Sequence, residues 1–157
     1  MYTERPRLSG NKLAAFQNIN KKERRILVIG DLHCPFDLEE YFDFCKETYA
    51  KWNCNQVIFI GDVIDNHYSS YHETSSDGLG GADELELAVD RLQRYYQAFS
   101  KADVILGNHD RMCSRKAQTS SIPTKWIKSY KEVLEVPTWN FIAVSYTHLT
   151  LPTIVGV

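Results

Sequence analysis

Three stretches of this chain share one grammar, and that grammar limits the fold more than any other feature. They are ILVIGD at 26–31, VIFIGD at 57–62 and VILGN at 104–108. Each is a continuous run of Val, Ile, Leu or Phe rather than an alternating one. Such runs suit short strands apolar on both faces, as in a parallel sheet covered on each side. Each then breaks at a glycine and presents an Asp or Asn.

Two helical patterns separate the runs. From Asp37 to Trp52, apolar residues fall at Leu38, Tyr41, Phe42, Cys45, Tyr49 and Trp52, the spacing of one buried stripe. Asp37 is the expected N-cap, with Glu39 and Glu40 in the first turn, where the helix dipole favours negative charge. From Asp83 to Phe99 the stripe is Leu85, Ala88, Val89, Leu92, Tyr95, Tyr96 and Phe99, with Asp83 as the expected cap. Strand–helix–strand–helix–strand predicts an α/β domain built on one parallel βαβαβ layer. Residues 111–135 read as partly helical. Pro137 ends that stretch, and Thr138 to Ala143 reads as a fourth strand.

In such sheets ligands bind outside the carboxyl ends of the strands. The glycine-terminated ends are those ends. Asp31 with His33, Asp62 with Asp65, and Asn108 with His109 are therefore expected on one rim. The loop from Asn66 to Ala82 leaves the same rim. It holds His67, Tyr68, Tyr71, His72 and a glycine-rich end, and reads either as a substrate wall or as a surface loop.

Carboxylates, imidazoles and one amide are hard-to-borderline metal ligands. Asp31, Asp62 and His33 suit a divalent ion, and Asn108 adds an oxygen donor without adding charge. Two divalent ions over two carboxylates keep a positive surplus that can hold a phosphate ester and a hydroxide. Such a pair bridges through Asp62 and clamps a phosphoryl group. His109 directly follows a ligand and reads either as a further ligand or, because adjacent turn residues usually point apart, as an acid or positive partner for the leaving oxygen. Asp65 is placed to orient its imidazole. An apolar run followed by Gly-Asp is common alone. The ordered set D-x-H, G-D-x-x-D and G-N-H-D, each after a strand, is not.

The set resembles the calcineurin-like metallophosphoesterase family over residues 26–110, through Asp31-Leu32-His33, Gly61-Asp62-Val63-Ile64-Asp65-Asn66 and Gly107-Asn108-His109-Asp110. The resemblance implies a helix-flanked β-sandwich and a dinuclear metal site hydrolysing phosphate esters. It implies that Asp31 and His33 bind one metal, that Asp62 bridges two, and that Asn108 binds the second. His109, paired with Asp65, would assist the leaving group, so Asn108 and His109 meet the substrate. Manganese is the first expectation for the metals, with iron, zinc or nickel as alternatives.

The family also uses a further His and a closing Gly-His-x-His, which this sequence lacks. Its one later histidine, His148, lies in VSYTHLTLPT at 144–153. That segment matches, residue for residue, one reading frame of a transposon-based sequencing adapter. Residues 144–157 are therefore expected to be a non-native tail, and His148 receives no role. Residues 26–143 are expected to be the N-terminal half of a metallophosphoesterase domain, inactive alone, preceded by a basic arm at 1–25. Within the activity, a nuclease stands beside a phosphatase. Outside it, the alternative is a non-catalytic binding module on a degenerate phosphoesterase scaffold. A dinucleotide-binding domain fails because no G-x-G-x-x-G follows the first strand.

Charge and cysteines limit the partners. A net charge of −2 opposes general nucleic-acid or membrane binding. The arm at 1–25 still carries seven Lys or Arg against two Glu, which leaves nucleic acid open as a partner beside the phosphate-ester substrate. Cys34, Cys45, Cys54 and Cys113 form no C-x-x-C pair, no signal-peptide pattern precedes them, and no apolar stretch is long enough to span a bilayer. The expectation is a cytoplasmic protein with reduced thiols. Cys34 and Cys113 flank the motifs, where packing competes with a role as soft metal ligands.

Overall fold

Each of the three runs forms a strand, and a fourth joins them. A computed structural model describes residues 23–70 and 78–143. Its strands are β1 (Ile26–Ile29), β2 (Gln56–Phe59), β3 (Asp103–Ile105) and β4 (Asn140–Ile142). They form one sheet in the order β1-β2-β3-β4, parallel throughout. Ile29 stands beside Phe59, Phe59 beside Val104, and Val104 beside Phe141. The helices are α1 (Glu39–Lys51), α2 (Gly81–Ala98), α3 (Met112–Thr119) and the single turn α4 (Tyr130–Val133). The arm up to residue 22, part of the long loop (71–77) and the expected tail (144–157) lie outside the described residues.

The core sits on one face of the sheet. Leu27, Ile29, Val57, Phe59 and Val104 point into it and are buried. They meet Cys45 of α1, Ala88, Leu92 and Tyr95 of α2, and Leu134, Val136 and Trp139. Each such aliphatic or aromatic side chain contributes about 1.5–3 kcal/mol by leaving water. Trp139 packs against Phe59 with the rings tilted at 33° and their centroids 4.6 Å apart, and its indole N–H donates to the Phe99 carbonyl at 2.7 Å.

The opposite face differs from the expectation of a sheet covered on both sides. Among the described residues Val28 is 53% exposed, Ile60 52%, Ile142 41% and Ile26 40%. Their apolar character is as strong as that of the buried set, but no described element packs over them.

The helix starts also differ from expectation. α1 begins at Glu39, after Leu38, and has no side-chain cap. Asp37 turns inward and binds two arginines of α2. Leu38 and Trp52, flanking the shorter helix, are exposed instead of lying on its buried stripe. α2 begins two residues before Asp83, with Gly80 at the cap position, so Asp83 falls in the first turn. The expected stripe of α2 does face the core through Ala88, Leu92 and Tyr95, with Phe99 just beyond the helix.

Candidate metal centre

The rim is made of three loops that leave β1, β2 and β3 at their carboxyl ends. Their backbone is unusual. Asp31, His33, Asp62 and Asn66 all have positive φ, between 47° and 52°. Outside glycine this left-handed conformation costs about 1–3 kcal/mol per residue, and it persists where surrounding contacts enforce it. Those contacts are present. His33 N–H donates to the Asp62 carbonyl at 2.9 Å, Cys34 N–H to Val63 at 3.1 Å, and Asp65 N–H to Cys34 at 3.0 Å. Gly61, at φ 111°, and Gly107 let the second and third loops approach closely. A Cβ on Gly107 would lie 2.1 Å from Asp62 Oδ1.

Side chains far apart in sequence converge there. Asp31, His33 and Asp62 each offer a ligand atom within 4.8 Å of the others. His33, Asp65 and His109 form a second such group, so His33 belongs to both. The His33 and His109 rings meet edge to face, with centroids 4.6 Å apart. His109 N–H donates to Asp62 Oδ1 at 2.8 Å, tying the third loop to the carboxylate of the second. Asn108 is exposed and lines one cavity with Asp62 and Gly107.

Hydrogen bonding fixes the orientation of both rings. His33 Nδ1 lies 2.6 Å from Asp65 Oδ1, and His109 Nδ1 lies 2.6 Å from the Asp65 carbonyl oxygen. A carboxylate and a carbonyl only accept, so each Nδ1 carries the hydrogen and each Nε2 is left for other work. The Asp65 carboxylate therefore faces His33 first. Its oxygen is 3.4 Å from His109 Nδ1, which the main-chain carbonyl holds instead. A carboxylate behind a ligand imidazole is a common second layer of metal sites.

Three buried carboxylates tie the rim loops to one another and to α2, a task the sequence assigned to none of them. Asp110 Oδ2 accepts the N–H of Asp62 and Gly107, both at 2.8 Å, and Oδ1 accepts Val63 at 2.9 Å and Ile64 at 3.3 Å. Burial pushes the Asp110 carboxyl up, while the N–H groups of Gly107, Ile64 and Asp62 draw it down. Glu84 of α2 accepts the N–H of His67 at 2.7 Å and of Tyr68 at 3.2 Å. This fixes the start of the long loop and leaves His67 Nδ1 3.9 Å from Asp65 Oδ2. Asp37 accepts from Arg91 Nε at 2.9 Å, a terminal nitrogen of Arg94 at 3.1 Å and Tyr95 Oη at 3.3 Å. Only the final Asp of G-N-H-D had a local sequence signal, its place in the motif. The others find partners 16 to 58 residues away.

The flanking cysteines have other occupations. Cys34 is buried against Asp37, and burial followed by the Asp37 charge pushes its thiol well above the ordinary range. That opposes a thiolate ligand. Cys113 is exposed, with its sulfur 3.3 Å from the Tyr68 hydroxyl.

The chain belongs to the calcineurin-like phosphoesterases: that family matches residues 24–154, most of its length. No curated protein and no solved structure matches it. Membership makes phosphoester hydrolysis the activity of the class, and the ligand groups on the rim agree with its metal dependence. The donor set fits divalent ions: two carboxylates, an amide oxygen, and an imidazole whose Nε2 is freed by Asp65. Among the described residues no helix is long and apolar enough to cross a membrane.

Proposed function

We propose that this chain is the N-terminal part of a dinuclear metal-dependent phosphoesterase. The observation that carries the reading is the shared position of His33. It lies within 4.8 Å of the two carboxylates on one side and of Asp65 and His109 on the other. A metal site and a proton-handling imidazole are thus in contact. Asp31 and His33 would hold one ion, Asp62 would bridge, and Asn108 would hold the second, with manganese preferred over iron, zinc or nickel. When bound, such ions supply an activated water and positive charge for the phosphoryl oxygens. Asp65 holds His33 in the ligand tautomer. Its carbonyl holds His109 through Nδ1–H, so that the protonated ring can give its Nε2 proton to the leaving oxygen. Asn108 and His109 also meet the substrate.

The bare sheet face and the missing downstream histidines support a domain completed by further chain. Residues 144–157 would be a translated adapter. The family match reaching 154 makes a nucleotide-level test necessary: independent DNA carrying the same tail, or synonymous differences from the adapter, would refute that origin. All four cysteines are free, which supports a reducing, cytoplasmic setting.

His109→Ala in the completed protein tests the assignment of the acid. Turnover of an aryl phosphate should fall roughly 10²–10⁴-fold with bound metal retained. Metal content falling in step with activity would make His109 a ligand instead.

A further inference from the structure

The metal rim opens on one side into a cavity of about 490 Å³, lined by Asp62, Gly107 and Asn108, by Ile60 and Leu106, and by Arg111 and Arg115. Arg111 stands immediately before α3, three residues after Asn108, and Arg115 follows one turn later on the same face of the helix. Arg111 is half-buried. Its guanidinium has no hydrogen-bond or ion-pair partner among the described residues, whereas Arg91 and Arg94 each pair with Asp37 and Glu39. A guanidinium held partly out of water beside the rim, and paired with no carboxylate among the described residues, is suited to an anion brought by a ligand. Its planar fork matches a phosphate oxygen pair.

We infer that Arg111 forms a subsite for a second phosphate on the substrate's leaving group. This inference rests on the phosphoesterase reading of the rim. The preferred substrate is then an organic ester carrying two phosphate groups. One is cleaved beside Asp62 and Asn108, and the other lies on Arg111. The reaction consumes one water. The bond between phosphorus and the ester oxygen breaks, orthophosphate leaves with the water oxygen, and the freed alcohol takes a proton and keeps the second phosphate. An ester whose leaving group is uncharged gains nothing from the subsite.

The test compares two substrates in the completed, manganese-loaded protein: phenyl phosphate, and phenyl phosphate bearing a second phosphate on the ring. The wild type should show the lower KM for the bisphosphate. Arg111→Gln should reduce that preference about tenfold or more, the usual consequence of losing a charge-assisted hydrogen bond. Arg111→Lys, which keeps the charge and loses the fork, should fall between. Thermal unfolding of each variant separates a lost contact from a lost fold. Equal losses on both substrates, or an unchanged preference in Arg111→Gln, would overturn the subsite while leaving the phosphoesterase reading intact. A wild type that cleaves neither ester would overturn the reading itself.

Discussion

The two faces of the sheet are written in the same residues and end in different states. Ile29, Phe59 and Val104 are fully buried under two helices, while their neighbours Val28 and Ile60 are each more than half exposed. Apolar character therefore says that a face is meant to be covered, and nothing about where the cover comes from. The covered face is complete within residues 23–143. The other has the composition of an interior surface and lacks a partner among the described residues. The rim inherits that asymmetry: Asp31, His33, Asp62 and Asn108 all come from the loops of this one layer.

The broadest way to break the comparison is to supply the cover that the proposed N-terminal reading calls for. A version extended by its native C-terminal half should turn over an aryl phosphate with manganese roughly 10²-fold or more faster than the 157-residue chain, since lost ligand shells alone account for such factors. Comparable turnover from the short chain, abolished by Asp62→Ala, would show that one layer suffices. Next in size is Phe59→Ala on the covered face. Removing a buried aromatic should cost about 3–5 kcal/mol in urea unfolding of the chain. A loss below about 1 kcal/mol would mean that this core is not consolidated.

The rim offers a sharper version of the contrast. Asp62→Asn should remove more metal than Asp31→Asn, because a bridging carboxylate serves two ions and a terminal one serves a single ion. Equal losses by elemental analysis would remove the case for a bridge. The smallest effect is expected from Val28→Thr. On the bare face it should shift stability by no more than about 0.5 kcal/mol in the short chain. In the extended chain the same substitution buries a hydroxyl and should cost about 1–3 kcal/mol. An identical small value in both chains would show that nothing packs over this face.

The strands and the rim were legible because both depend on local pattern. An apolar run, a glycine and a ligand residue are neighbours in sequence, and the carboxyl-end rule places them together. What escaped was decided by distant partners. Asp37 has the composition and position of a helix cap, yet two guanidiniums and a phenol on α2, 54 to 58 residues away, draw it inward. Glu84 looks like a surface residue in the first turn of an acidic helix and is in fact buried as the anchor of His67 and Tyr68. The sequence pairs Asp65 with His109, but its carboxylate lies closer to His33. Its nearer contact with His33 than with His109 depends on a backbone carbonyl taking the second ring, and side-chain identity carries no signal for that.

The absence of a side chain at Gly107 has a consequence for how this protein can vary. A single methyl there would occupy the space of the Asp62 carboxylate, with Asp62 Oδ1 2.1 Å and its backbone nitrogen 2.5 Å from the added carbon. Asp110 meanwhile bonds the N–H groups of both residues with one oxygen. The second and third loops are therefore one interlocked part. Substitutions in them should show strong epistasis, and a loop grafted from a relative should be tolerated only when its counterpart travels with it.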